Sequence, residues 1–483
     1  MDRVKIYSKY DLTTNMNINN IINFTNNFNY EIEEYNINDV LEYFNIIKFS
    51  KDNEIKERII NETNKKFDEV LKIIQRRIGK FNGKNKESFL SLYNEVDFIY
   101  REDFFELIKR DDILNNINKT ILILTAQFGA GHVSAANAIK EYILEKNPNY
   151  NIVIQNFINA SIPRINNPMV KMYERNTKYV PELYNYYYYA KKNFNSKFDI
   201  TYKIYTPKLT EYILEIKPDL IISTFPSAAG CVHDFNSKKE NTPIPCITVI
   251  TDVVDSLEWI FPNTDMYFVP TYEIKHRYVQ KGLNPDIFRV TGVPTDKRFN
   301  IKDKVYFQDG KYNVLLMGGG RGLFDFDEDF VRWLDEFCDN YKDKLHVTIV
   351  TGKNEKLFNN LTVKKPLKNI EVLGFVTNMP ELLKDNDLLV TKPGGATLFE
   401  AINAQIPIII KTPKVGQEIE NSKFIIDKGI GIVYNNDAEL QEIFDLMVNG
   451  DLDHRFNFML ENLVHVKKNI NPEKIGDYVM ELL

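Results

Sequence analysis

The sequence has little cysteine. Its 483 residues contain three, Cys231, Cys246 and Cys338, and none of them forms a CxxC pair or any other metal-like cluster. That composition reads as a reducing, cytosolic protein and offers no thiolate metal site. A large charge excess is also missing: the formal net charge is −6, which argues against wholesale affinity for polyanions and so against nucleic acid as a partner. The opening MDRVKIYSKYDL has no positive-then-apolar leader, so no signal peptide is expected. Long hydrophobic runs are absent as well. Stretches such as IPIII at 406–410 have the length of a buried strand, far short of the ~20 residues a membrane span needs. The chain is therefore expected to touch a membrane at most, not to cross one.

What is present is apolar content of 43% over 483 residues, enough for two or three domains with large cores. Residues 1–116 are rich in Asn, Ile, Tyr and charge, with almost no Gly or Pro, and carry helical patterns around 52–79 and 87–110. They read as a mainly helical accessory domain with no visible chemistry. From 119 the texture changes. TILILTA, a helical stretch over 133–146, NIVIQNF, DLIISTF, PCITVITD and DMYFVPT alternate as strands and helices do in a parallel sheet buried on both faces. A second series runs from NVLLMGGGRGL at 313–323 through LHVTIVTG, IEVLGFV, DLLVTKPGG and IPIIIKT to GIGIVY. The pattern predicts two doubly wound domains, 117–300 and 301–470, and a C-terminal helix over 471–483. Ligands of such sheets lie outside the carboxyl ends of the strands, and the Gly-rich turns fall at those ends.

Three turns there could carry chemistry. In LLMGGGRGL, glycines 318, 319, 320 and 322 follow a strand end. Glycine lets backbone N–H groups approach a phosphate, but the pattern is neither GxGxxG nor a P-loop. In TKPGGATLFEA, Lys392 to Gly395 form a turn, and Thr397 and Glu400 fall on the first turns of a helix. There the hydroxyl and amides suit a phosphate, and the carboxylate suits a polyol such as ribose or simply the helix dipole. In KVGQEIENSKFI, Gln417, Glu418 and Asn421 cluster at a loop-to-helix junction, where they could bond sugar hydroxyls or cap the helix.

Seven motifs occur in order: GAGHVSAANAI, TDVVDSLEW, TGVPTDKRF, LLMGGGRGL, GFVTNMPELL, TKPGGATLFEA and GQEIEN. Together they resemble the monogalactosyldiacylglycerol synthase and processive diacylglycerol glucosyltransferase family over roughly 119–470. The resemblance implies an α/β fold of GT-B type, two Rossmann-like domains facing a cleft, with the acceptor on the N-terminal side and a UDP-sugar on the C-terminal side. It implies inversion at the anomeric carbon with no metal and no further cofactor. By resemblance, Gly318, Gly319 and Gly320 lie at the diphosphate, Phe375 and Val376 flank the uracil, Gly394, Gly395 and Thr397 also hold phosphate, and Glu400 holds the ribose. Gln417, Glu418 and Asn421 contact the sugar. His132 is the expected base, with Asp252 a second base or an orienter, and Gly129, Gly131 and Trp259 are acceptor-side. Histidine suits the base role because its proton affinity sits near neutrality.

The chain departs from the family pattern at Ser256 and Phe225, where histidines are usual, and at Asp296, where arginine is common. All three read as acceptor-side differences that leave the donor assignment intact. Residues 164–208 hold nine Lys/Arg against three Asp/Glu, and nine tyrosines. They are expected to meet an anionic leaflet from the inner face of the cell membrane. The expected function is hexosyl transfer from a UDP-sugar to a diacylglycerol-type lipid. Transfer to a peptidoglycan lipid intermediate, and a nucleotide-sugar-binding protein without turnover, are the alternatives. A UDP-GlcNAc epimerase would share the two domains but not the GAGH turn or the basic Tyr-rich stretch.

Overall fold

The structure is a computed structural model that describes residues 119–127, 131–162, 185, 189, 201–302, 304–319, 322 and 328–483. The expected helical domain over 1–116 lies outside the described residues. Contacts divide the chain into two units, 1–119 with 147–151, and 120–146 with 152–483. Of the first, Lys119 and the turn 147–151 are described; in that turn Asn147 Oδ1 accepts the Asn149 N–H at 3.1 Å. Among the described residues no helix is long and apolar enough to cross a membrane.

The second unit is built on two six-stranded parallel sheets, ordered β2-β1-β3-β4-β5-β6 and β12-β11-β10-β7-β8-β9. The strands of the first are Thr120–Thr125, Asn151–Asn156, Leu220–Ser223, Cys246–Val249, Met266–Val269 and Phe288–Val290 for β1 to β6. Those of the second, β7 to β12, are Tyr312–Met317, Leu345–Val350, Glu371–Leu373, Leu388–Thr391, Ile408–Lys411 and Gly431–Tyr434. Continuous apolar runs make these strands because helices cover both faces. Ile121 to Leu124 are 0% exposed, and each such side chain contributes ~1.5–3 kcal/mol by leaving water. Every apolar run read as a strand forms one. The addition is β6, whose three residues are too short to give a periodicity of their own.

Each sheet reverses its order of growth once, between β1 and β3 and between β7 and β10. The crevice at such a reversal is where doubly wound sheets bind ligands. Register brings the paired strand ends level there: Leu124 lies beside Ser223, and Met317 lies beside Thr391. One hydrophobic core runs through both sheets, joining Ile250, Val290 and Phe299 to Met317, Leu389 and Phe399. The chain leaves the first sheet after Phe299. It comes back at the end, through the turn Pro472–Lys474 into a helix Ile475–Met480. That helix packs on the long helix Gly131–Lys146, here α1: Lys146 pairs with Asp477 at 2.7 Å. A Cβ on Gly476 would stand 2.7 Å from the Tyr142 carbonyl oxygen.

Candidate active site

The carboxyl ends of the two sheets meet through helix starts. α1 (Gly131–Lys146) follows β1, and a second helix, α2 (Gly395–Ala404), follows β10. Pro393 has no N–H to continue the ladder, and Gly394, with φ −74° and ψ 141°, is the extended residue from which α2 begins. The small residues at the start of α1 now have a reason. A Cβ on Gly131 would stand 3.3 Å from the Cβ of Ala396 on α2, while Ala135 and Ala136 are wholly buried. The neighbour that comes close at Gly131 is therefore the second sheet's own helix. Gly129 and Gly320 lie outside the described residues.

His132 is the second residue of α1. Its Nδ1 is 3.0 Å from Thr251 Oγ1, and its carbonyl accepts the Thr224 hydroxyl at 3.2 Å. The edge of Phe225 meets the imidazole at 5.1 Å, and Trp259 stands at 6.5 Å. Burial lowers the imidazole pKa to about 4, a hydrogen bond between the ring and the Thr224 backbone opposing it. The ring is thus neutral at neutral pH, the form that accepts a proton. Phe225, one of the three departures, is part of this collar. Ser256 is not: it is 0% exposed, its carbonyl accepts the Tyr278 hydroxyl at 2.9 Å, and its own Oγ has no partner.

Asp252 turns from the first sheet toward the second. Its Oδ1 accepts Asn421 Nδ2 at 2.9 Å, and the carboxylate also accepts the Gly395 N–H at the start of α2. Burial raises its pKa to about 6, the Asn421 bond opposing and the nearby Glu418 charge adding to the rise. Asn421 lies on a third helix, α3 (Gly416–Asp427). Its Oδ1 accepts the Val253 N–H at 2.8 Å, and its Nδ2 also donates to the Pro393 carbonyl at 2.9 Å. With 0% exposure, its amide is committed to holding the two sheets together, so the expected sugar contact from Asn421 is replaced by a structural clasp. Gly395 shares that duty: a Cβ there would lie 2.0 Å from the Thr251 carbonyl oxygen. Its N–H faces Asp252, where a phosphate contact was expected. Gly394 is open, with nothing within 4 Å of a Cβ.

The residues expected on the donor side follow the carboxyl ends of β7, β9, β10 and β11. Gly318 and Gly319 follow β7, and Gly319 has φ +72°. The Gly322 N–H donates to the Gly319 carbonyl at 2.8 Å. A Cβ on Gly322 would stand 1.7 Å from the Thr351 carbonyl oxygen, so only glycine fits. Lys392, quoted in the turn but given no role by the sequence, has its Cε 3.6 Å from where a Gly319 Cβ would stand. Its Nζ pairs with Glu418 Oε1 at 2.8 Å. Gln417 precedes Glu418 on the first turn of α3. Phe375 is 58% exposed with Lys353 Nζ 5.3 Å from its ring centre, and Val376 packs on the common core. Thr397 and Glu400 are half-buried on α2. Burial, with the Asp296 charge adding, raises the Glu400 carboxyl to about 7. Asp296 is thus not confined to the acceptor side: its charge bears on the carboxylate assigned to the donor. Of the Tyr-rich segment, Tyr202 and Tyr205 are 5% and 8% exposed and pack in a second core with Leu122, Leu124 and Phe157. These two are core residues and do not face a membrane; Arg164 to Tyr184 lie outside the described residues.

Residues 132–295 match the monogalactosyldiacylglycerol (MGDG) synthase family and residues 313–454 the glycosyltransferase family 28 C-terminal domain. The chain is 31% identical over 362 residues to the processive diacylglycerol beta-glucosyltransferase of Bacillus subtilis (strain 168), covering 72% of this chain and 92% of the relative. It is 32% identical over 346 residues to the enzyme of the same name from Staphylococcus aureus (strain MRSA252), covering 69% and 86%. In fold it resembles the glycotransferase of kitacinnamycin, with TM-score 0.51, 13% identity, and coverage of 76% of this chain and 99% of that one. The two parallel sheets are those of a GT-B glycosyltransferase, and the chain belongs to the MGDG synthase and processive diacylglycerol glucosyltransferase family.

Proposed function

We propose that the protein transfers a hexose, glucose first among the candidates, from a UDP-sugar to the hydroxyl of a diacylglycerol-type lipid at the inner membrane surface, inverting the anomeric carbon. The relatives' printed names support the acceptor and the glucosyl group. The observation that carries the mechanism is the bond between His132 Nδ1 and Thr251 Oγ1. When Nδ1 holds the proton and donates it to Thr251, Nε2 keeps its lone pair for the acceptor hydroxyl. As that hydroxyl attacks, its proton passes to Nε2, and the bond from the anomeric carbon to the diphosphate oxygen breaks with its electron pair on the diphosphate. No metal is assigned to the step. Gly318, Gly319, Gly394 and Thr397 would contact the diphosphate, Phe375 and Val376 the base, Glu400 the ribose, and Gln417 and Glu418 the sugar.

The test is a product assay with diacylglycerol in anionic micelles and UDP-glucose, UDP-galactose or UDP-GlcNAc in turn. Glycolipid is expected from UDP-glucose. The variant His132→Ala should be slower by about 10²–10⁴-fold, with UDP affinity by calorimetry unchanged. UDP binding without product from any donor would redirect the acceptor to another lipid, such as a peptidoglycan intermediate, or to no acceptor at all.

A further inference from the structure

The proposed reaction leaves a charge to be accounted for. When the glycosidic bond to the diphosphate breaks, the leaving group gains a full negative charge, and amides at helix starts carry only partial positive charge. One of the two helix starts is already engaged, because the Gly395 N–H faces Asp252. A whole positive charge does stand at the site. Lys392 follows β10 directly, level with the end of β7 through the pairing of Thr391 with Met317. Its Cε lies beside the Gly319 turn at 3.6 Å from the Cβ position, and its Nζ rests on Glu418 Oε1 at 2.8 Å. The side chain of Lys392 is 41% exposed and that of Glu418 17%, so solvent reaches the lysine more than its partner.

The geometry points to Lys392 as a catalytic residue that holds the donor's diphosphate and neutralises it as it leaves. On this assignment, which rests on the nucleotide-sugar reading above, Glu418 holds the ammonium in place before the donor arrives. A diphosphate against the Gly318–Gly319 turn, with its two negative charges, then competes with Glu418 for Nζ. The ammonium moves to the phosphate oxygens. Glu418 is released to accept hydrogen bonds from hydroxyls of the transferred sugar, the neighbour of that same phosphate. No proton is transferred by Lys392. It stays cationic while the electron pair of the broken bond settles on the β-phosphate oxygen that it faces, a gain that is largest in the transition state.

The experiment compares wild type, Lys392→Met and Lys392→Arg for calorimetric affinity toward uridine, UMP and UDP, and for turnover. Thermal unfolding checks that each variant is folded. Lys392→Met should weaken UDP by about 10- to 100-fold, as expected for a lost charge-assisted bond. It should leave uridine unchanged and lower kcat by about 10²-fold, while the KM for the lipid holds. Lys392→Arg should recover much of both losses. If uridine and UDP affinity fall together, the residue shapes the pocket and the assignment is wrong; it is equally wrong if neither falls. A wild-type chain that binds UDP yet makes no glycolipid overturns the proposed acceptor, and the uridine–UDP contrast still judges Lys392. A wild-type chain that does not bind UDP overturns both.

Discussion

Asn421 uses one amide to reach three groups on two sheets: the Val253 N–H, the Asp252 carboxylate and the Pro393 carbonyl. Buried polar groups of this kind cost about 1–3 kcal/mol each when a partner is removed. Asn421→Leu keeps the volume and strands all three. It should lower unfolding stability by about 2–4 kcal/mol, read as a shift in the urea midpoint; an unchanged midpoint would mean that the clasp is not holding the two halves. The sequence showed Asn421 as one polar residue at a helix start. Its partners Val253 and Asp252 stand 168 and 169 positions earlier, and no local pattern carries that distance. Thr251 was hidden for the same reason, since its role is a bond to His132 119 positions away. Lys392 did give a local signal: a cation placed directly between an apolar strand and a glycine turn.

At the scale of elements, two neighbouring glycines make opposite claims. Gly395 opens α2 against the Thr251 carbonyl oxygen, where a Cβ would lie at 2.0 Å, whereas a Cβ on Gly394 would meet nothing within 4 Å. Gly395→Ala should therefore push α2 off the Thr251–Asp252 turn, lowering the melting temperature and cutting kcat/KM by about tenfold or more. Gly394→Ala, at a backbone angle open to any residue, should keep the wild-type melting temperature. Equal melting temperatures for the two variants would refute the close approach. The strands were legible because burial on both faces writes them as unbroken apolar runs. The helix starts were legible as punctuation, yet not as contacts. GAGH and KPGG each read as a turn prepared for a ligand, and only the fold shows that part of their smallness serves the meeting of α1 with α2.

Among the described residues of the whole molecule, Asp252, at about 6, and Glu400, at about 7, are held most strongly against ionisation, and burial raises the Glu141 carboxyl as well. A carboxyl whose pKa is higher folded than unfolded stabilises the fold while protonated. That contribution is complete below pH ~4, the unfolded value, and is lost as pH rises through 6 and 7. Asp252 and Glu400 should thus lower wild-type stability as pH rises from 5 to 7.5, opposed below 6.5 by His132. Glu400→Gln should flatten that slope by on the order of 1–2 kcal/mol across the interval, and Asp296→Asn, which removes the added repulsion, by less. Melting curves at several pH values decide it, and a slope identical in Glu400→Gln would show that the carboxyl ionises as freely folded as unfolded. His132 acts in the opposite sense. Its lowered pKa gives stability that is present above 6.5 and is lost as pH falls toward 4.

The chain also passes between its two sheets twice, once after Phe299 and once on the way back to Ile475–Met480, which rests on α1. A body tethered to another at one point can swing, twist and slide. Tethered at two, it keeps one easy motion, rotation about the line through both tethers. The two connections leave rotation about their line as the motion the chain itself permits, and the Asn421 clasp and the fit of Gly395 against Thr251 oppose it, so the sheets are bound at the site as well as at the connections.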